Sequence, residues 1–201
     1  MLKVGLTGSI AVGKSFVVGI LSELGCHVLD ADRTARDVVA RGTAGLERIV
    51  SEFGKEVLNA DGELDRKRLG SIVFADEKKR KLLNSIVHPL VIEAQDRWLI
   101  EREDADSGGI AVIDAALMIE SGGYSRFDKL IVVWCEPAIQ LRRLMLRDNL
   151  TREQAEKRID SQMPQEEKKR FADHLIDTSN GFEDTRKQVI AVYDRLHAAS
   201  N

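Results

Sequence analysis

Several features of secreted and membrane proteins are missing from this chain of 201 residues. It has only two cysteines, Cys26 and Cys135, which lie far apart and form no Cys-x-x-Cys pair. Neither a disulfide framework nor a zinc site is therefore expected. The first residues, MLKVGLTGS, lack the apolar region of a signal peptide, and the longest apolar run, LIVVWC at 130–135, is too short to span a bilayer. We expect a cytoplasmic protein with no membrane partner.

A strong excess of either charge is also missing. The chain has 30 basic and 33 acidic residues, which gives a net charge of −3. This balance argues against a general polyanion binder, so we expect no nucleic-acid partner. The hydrophobic content of 43% suits one globular domain with a core of useful size.

What the chain does contain is the stretch LTGSIAVGKS at 6–15, directly after a short apolar run. Its spacing matches the phosphate-binding loop pattern G-x-x-x-x-G-K-[ST]. Glycines let the backbone turn its N–H groups inward, and the following helix adds the positive end of its dipole. Lys14 can reach the β- and γ-phosphates of a nucleotide, and the Ser15 hydroxyl can bind Mg²⁺. The residues expected to bind ATP are Gly8, Ser9, Ile10, Ala11, Val12, Gly13, Lys14, Ser15 and Phe16.

An ordinary glycine turn is the alternative reading of this motif, and its context argues against that reading. Val4 and Leu6 fit a strand before the loop. Val17, Leu21 and Leu24 form one apolar stripe after it, as in an amphipathic helix. A strand, a phosphate loop and a helix are therefore expected in that order.

Five apolar runs predict buried strands, and helical patterns fill most of the intervals between them. This alternation predicts an α/β fold with a five-stranded parallel sheet flanked by helices. The runs are KVGLT, HVLDAD, IAVIDA, KLIVVW and HLIDT.

Two helical segments interrupt this core without a convincing strand. We expect a helical insertion at about 42–106 and a second polar helical segment at about 138–172. The rest of the single domain would then comprise 1–41, 107–137 and 173–201.

Acidic residues close two of the predicted strands. In an open α/β sheet, ligands bind at the carboxyl ends of the strands. Asp30 and Asp32 end the second run, and Asp32 is the candidate catalytic base because a carboxylate can position a hydroxyl and accept its proton. Capping of the next helix is the alternative for this pair. Arg36, one turn later, could hold the acceptor or pair with Asp32. Asp114 ends the third run, where it could hold Mg²⁺ through water or serve as a structural carboxylate.

Basic residues recur in the polar helical segment. Arg143 and Arg147 are four residues apart and share a helical face, so a closing helix could bring them to the charge that develops on a transferred phosphate. A solvated face is the alternative, because acidic residues are interleaved with them. His88 precedes Pro89 in the insertion, and we expect a structural role there, such as capping a helix that begins at Pro89.

In combination, these blocks resemble the dephospho-CoA kinases, a family of P-loop small-molecule kinases, over nearly the whole chain. The most specific blocks are DADRTAR at 30–36 and HPL at 88–90, in this order and with this insertion. The resemblance implies a P-loop kinase fold and the transfer of phosphate from ATP to the 3′-hydroxyl of the ribose in dephospho-CoA. It implies no obligate protein partner.

The resemblance also implies residue roles. Asp32 would lie by the acceptor hydroxyl, and the insertion around His88 would form the acceptor-binding region together with Arg36 and Asp114. The segment 138–172 would be the lid that brings Arg143 and Arg147 to the phosphates. Residues 177–181 would pack near the adenine of ATP.

Three residues depart from the pattern of the family. Ala116 stands where a proline is usual, Thr178 where an asparagine is usual, and Phe16 where a threonine is common. A shikimate-kinase-like enzyme is the nearest rival, but it leaves the helical insertion unexplained. A nucleotide-operated switch is a rival from another class, although the N-K-x-D pattern of GTPases is absent.

Overall fold

The structure is a computed structural model that describes residues 1–200. The chain forms two compact units. The first comprises Met1–Asp30 together with the chain from Arg102 onward, and the second comprises Ala31–Glu101.

Strands and helices alternate through most of the chain, as the apolar runs predict. The strands are β1 (Leu2–Gly8), β2 (His27–Asp30), β3 (Ile110–Asp114), β4 (Lys129–Trp134) and β5 (His174–Asp177). The helices are α1 (Lys14–Glu23), α2 (Ala31–Asp37), α3 (Ala44–Phe53), α4 (Arg66–Ala75), α5 (Glu77–Ala105), α6 (Pro137–Asp148), α7 (Arg152–Asp160), α8 (Gln165–Lys169) and α9 (Phe182–Ser200).

The first unit is built on the five-stranded sheet, which confirms the predicted fold class. All neighbouring strands are parallel, in the order β2-β3-β1-β4-β5. Parallel strands covered on both faces read as continuous apolar runs, and the inner residues of β1, β3 and β4 are buried accordingly. Because β1 lies at the centre, the loop that follows it opens at the middle of the carboxyl edge of the sheet.

Two helices provide much of the apolar cover in this unit. Val17 and Leu21 of α1 are fully buried, as their predicted stripe requires, and Leu24 is partly buried against the same core. Val189 and Leu196 of α9 belong to that core as well. The packing of α1 and α9 holds the start of α1, and with it the phosphate loop, against the sheet.

The second unit is helical and has a core of its own. Val39, Ile49, Val57 and Ile86 are buried there, and only an isolated antiparallel bridge joins Leu58 to Leu64. The structure has no strand between the end of β2 and the start of β3. A shallow groove of about 420 Å³ lies along α3.

The predicted helix start at Pro89 is wrong. Pro89 lies inside α5, a single helix of 29 residues. An internal proline removes one backbone hydrogen bond at a cost of about 3 kcal/mol, which tertiary packing can offset. Ile86 and Leu99, on either side of the proline, are both buried in the folded chain. His88 is therefore an exposed residue in mid-helix.

The remaining expectations from composition concern cysteines and membrane spans. Cys26 and Cys135 are both buried free thiols. Burial raises the pKa of Cys26 to about 12, so this thiol stays protonated. Over residues 1–200, no helix has the length and apolar character needed to cross a membrane.

Candidate active site

The loop between β1 and α1 adopts the conformation that its glycines predict. Gly13 has φ +89°, a left-handed value that glycine tolerates, and Ala11 has φ +61°, which is unusual for a residue with a side chain. Gly8 serves a different purpose, because a Cβ there would lie 2.6 Å from the carbonyl oxygen of Val133 on β4. The loop thus needs positive φ at one glycine and close approach at the other.

The first turn of α1 supplies backbone donors at the end of the loop. The helix begins at Lys14, so the N–H groups of Lys14 and Ser15 precede its regular hydrogen bonds. The Phe16 N–H instead donates to the carbonyl oxygen of Gly13 at 3.1 Å. Together with the positive end of the helix dipole, this arrangement suits an anion.

Lys14, at the start of α1, and Asp114, at the end of β3, form an ion pair. The Lys14 Nζ donates to Asp114 Oδ1. Their side chains are only 18% and 12% exposed. The strand register also sets Asp30 opposite Asp114, so two carboxylates end neighbouring strands at this edge. The predicted meeting of the loop and the acidic strand ends is confirmed for Lys14 and Asp114.

The other residues that are predicted to bind the phosphate-accepting substrate belong to the second unit. Asp32 was expected at the end of a strand, but β2 stops at Asp30 and Asp32 is an exposed residue in the first turn of α2. Arg36 lies in the last turn of the same helix, where its carbonyl oxygen accepts from Arg66 Nη2 at 3.2 Å. His88 is exposed on α5. The roles of these three residues remain predictions.

Arg143 on α6 is bound to the late block of the chain. Its Nη1 and Nη2 donate to the hydroxyl and the carbonyl oxygen of Thr178, both at 2.8 Å. The Thr178 hydroxyl in turn donates to the carbonyl oxygen of Val12 in the phosphate loop at 2.6 Å. Arg143 thus reaches the loop through Thr178, which is 3% exposed.

Arg147, one turn later, occupies a more exposed position. Its Nε donates to Asp148 Oδ1 at 2.8 Å, and Arg158 donates to the same carboxylate at 2.7 Å. The hydrogen bond from Arg147 lowers the pKa of Asp148, so this carboxylate stays charged at neutral pH. Arg143 and Arg147 both lie on α6, and their contact with phosphates remains a prediction.

Two of the three departures from the family pattern make side-chain contacts, at Thr178 and Phe16. Thr178 provides the hydroxyl between Arg143 and the loop. Ala116 contributes its carbonyl oxygen, which any residue supplies, to Thr7 at 3.2 Å and to the buried Lys168 at 3.1 Å. The Phe16 ring packs edge-on against Phe182, with centroids 4.8 Å apart.

Beneath this network lies the Cys135 thiol. Burial raises its pKa, an effect that the neighbouring Arg143 guanidinium partly offsets. Hydrogen bonds with the side chains of Thr178 and Arg143 also lower the pKa of the Cys135 thiol, so the thiol is a buried member of the same network.

Sequence reasoning missed the glutamines that hold the loop. The side chain of Gln162 accepts from the N–H of Ile10, and the side chain of Gln140 donates to the carbonyl oxygen of Ile10. Glutamine on a polar helical segment looks like a surface residue, so the sequence carries no signal for these contacts. Thr178 was marked as a departure, but its contact with the loop was not foreseen.

Comparisons with known proteins identify the family of the chain. The family model for dephospho-CoA kinase matches residues 2–184. The chain is 46% identical to a dephospho-CoA kinase of Listeria monocytogenes, over 96% of each chain. It is 45% identical to one of Geobacillus kaustophilus, over 98% of each. A solved dephospho-CoA kinase from Campylobacter jejuni superposes with a TM-score of 0.73 at 32% identity, covering 99% of this chain and 98% of the other. The chain belongs to the dephospho-CoA kinase family and is an ATP-dependent kinase.

Proposed function

We propose that this chain performs the reaction of its family with the residues described above. In that reaction the γ-phosphate of ATP passes to the 3′-hydroxyl of the ribose in dephospho-CoA, which is the last step of coenzyme A biosynthesis. The observation that carries the proposal is the phosphate loop whose Lys14 meets Asp114 at the strand ends. ATP and dephospho-CoA are the only partners we propose, and the cytoplasm is the compartment.

In this proposal the phosphate loop binds the nucleotide. Backbone N–H groups of the loop and of the first turn of α1 contact the phosphates. Lys14 then exchanges the Asp114 carboxylate for β- and γ-phosphate oxygens, where its charge counters the negative charge of the reacting group. The segment 177–181 packs near the adenine.

The same edge offers oxygen atoms to Mg²⁺. Across residues 1–200 no three His, Cys, Asp or Glu side chains cluster to hold a metal by themselves. Mg²⁺ usually keeps several waters and is held by one or two protein oxygens plus substrate phosphates. The exposed Ser15 hydroxyl fits one such position, and Asp114, once released by Lys14, fits a water-mediated one. When bound, Mg²⁺ supplies neutralisation of the phosphate charge.

The acceptor side of the proposal assigns Asp32 to the reacting hydroxyl. An exposed carboxylate can accept a hydrogen bond from the 3′-hydroxyl, aim its oxygen at the γ-phosphate and take the proton. Arg36 and His88 contact dephospho-CoA on the second unit.

The segment 138–172 acts as the lid. Arg143 and Arg147 counter the charge that develops during transfer, and for this they exchange Thr178 and Asp148 for phosphate oxygens.

Replacing Arg143 or Arg147 with alanine tests the lid assignment. We expect kcat to fall by about 10²-fold or more, while the KM for dephospho-CoA changes much less, because the contact is made in the transition state. Arg142→Ala is the matched control, since Arg142 is an exposed neighbour on α6. Steady-state kinetics of the three variants would contradict the assignment if all of them matched the parent.

The position of transfer is tested with deoxyribose analogues of the acceptor. We expect the 2′-deoxy analogue of dephospho-CoA to be phosphorylated and the 3′-deoxy analogue to be inert, because only the first keeps the 3′-hydroxyl. Both should still compete with dephospho-CoA for binding. Phosphorylation of the 3′-deoxy analogue would overturn the assignment of the hydroxyl.

A further inference from the structure

Both backbone groups of Ile10 in the phosphate loop are bound by glutamine side chains from distant parts of the first unit. The N–H of Ile10 donates to Gln162 Oε1 at 2.7 Å. The carbonyl oxygen of Ile10 accepts from Gln140 Nε2 at 2.8 Å. Gln140 lies on α6, and Gln162 lies between α7 and α8. The two peptide groups on either side of Ile10 are therefore both fixed by the lid segment.

The orientation of the Gln140 amide follows from a chain of hydrogen bonds. The N–H of Cys135 can only donate, and it donates to Gln165 Oε1 at 3.1 Å. Gln165 Nε2 then donates to Gln140 Oε1 at 2.8 Å, which leaves Gln140 Nε2 directed at Ile10. A backbone donor at one end and a backbone acceptor at the other thus determine how each amide is turned.

Gln140 is only 2% exposed, so its amide needs these partners. A buried amide without partners would be costly, and here Gln165 satisfies the Gln140 oxygen while the Ile10 carbonyl oxygen satisfies the Gln140 nitrogen. The same chain of hydrogen bonds delivers a directed donor to the loop. This hydrogen bond stabilises the one loop conformation in which the Ile10 carbonyl oxygen faces Gln140.

The held peptides lie directly before the strained part of the loop. The carbonyl oxygen bound by Gln140 belongs to the peptide that links Ile10 to Ala11. Ala11 has φ +61°, a left-handed conformation that is unfavourable for a residue with a Cβ. Such conformations persist when the surroundings fix them. The two glutamines supply contacts that do so one residue upstream.

We propose that Gln140 and Gln162 are positioning residues for the phosphate loop. By holding Ile10, they keep Ala11 and Gly13 in the conformation that presents the following N–H groups to the triphosphate. Because both side chains come from the segment 138–172, they also tie the loop conformation to the position of the lid. This inference rests on the proposed binding of ATP by the loop.

Methionine substitutions test the proposal, because methionine keeps the length of glutamine without its amide. We expect Gln162→Met and Gln140→Met to lower kcat/KM for ATP by about 10- to 100-fold, since small misplacements of reacting groups have effects of this size. The KM for dephospho-CoA should stay within about twofold of the parent. Because both side chains act on Ile10, the double variant should lose less than the product of the two single losses.

Gln154→Met is the matched control. Gln154 is an exposed glutamine of the same segment, and its amide oxygen caps α7 by accepting from the N–H of Thr151. It should change stability slightly and leave kcat/KM for ATP unchanged. Circular dichroism and thermal unfolding check that each variant is folded.

Three results separate the possible outcomes. Parent-like kcat/KM for ATP in a folded Gln162→Met variant overturns the inference. Because Gln162 is only half-buried, this variant can be tested even if Gln140→Met does not fold. An equal rise in both KM values also overturns it, because that pattern indicates general loosening of the protein. If the parent protein itself does not turn over ATP with dephospho-CoA, the proposed function fails instead.

Discussion

Asp32→Asn is expected to lower the turnover of dephospho-CoA by about 10²- to 10⁴-fold, the usual worth of a positioned acid or base. The lower end is expected, because phosphoryl transfer relies mainly on positioning. Asparagine keeps the size of aspartate and can still accept a hydrogen bond, but it cannot take the acceptor proton. The affinity for ATP should persist, since the phosphate loop is untouched. Steady-state turnover and ATP titration measure the two effects.

A structural role for Asp32 predicts a different result. Because α2 begins at Ala31, Asp32 lies in the first turn of the helix, where its charge interacts favourably with the helix dipole. Asp32→Asn would then lower stability slightly and leave turnover at the parent value. Asp37→Asn is the matched control, because Asp37 is an exposed aspartate in the last turn of the same helix. A stable, ATP-binding Asp32→Asn protein with the parent rate would remove Asp32 from the mechanism and direct the search to Asp30 or Asp114.

Lys14→Ala is expected to fold and to lose about 10²- to 10³-fold in turnover, the scale of removing one donor from a developing anion. The variant also removes the largely buried ion pair between Lys14 and Asp114, which should lower the free energy of unfolding. Turnover is measured at saturating ATP, and unfolding is followed in denaturant.

Lys129→Ala separates these two effects. Lys129 also pairs with an aspartate, Asp173, at 3.1 Å, but it lies at the amino end of β4, opposite to the phosphate loop along the strand. It should leave turnover unchanged. Near-parent turnover in a folded Lys14→Ala protein would remove the phosphate-loop assignment.

The sheet and the loop were predictable because their signals are local. A buried parallel strand requires a continuous apolar run, and the phosphate loop requires glycines, a lysine and a serine at fixed spacing. Asp114 was predictable as a strand-end residue, but its pairing with Lys14 depends on the strand order. That order places β3 beside β1, which no local pattern specifies.

The features that the sequence did not predict depend on contacts between residues that are distant in sequence. Pro89 indicated a helix start, whereas packing on both sides of it sustains α5 as one helix. Gln140 became a buried residue only because the loop and Gln165 satisfy its amide. Thr178 contacts Val12 across 166 residues of sequence, so composition and periodicity contain no trace of the bond.

The most direct test of the central claim is an assay of ATP consumption by the purified protein with three acceptor conditions. These are dephospho-CoA, shikimate and no acceptor, and the Lys14→Ala variant serves as the background. We predict rapid ATP consumption with formation of coenzyme A in the first condition, and only background rates in the other two. Turnover of shikimate, or ATP hydrolysis that does not depend on an acceptor, with no coenzyme A formed from dephospho-CoA, would contradict the account.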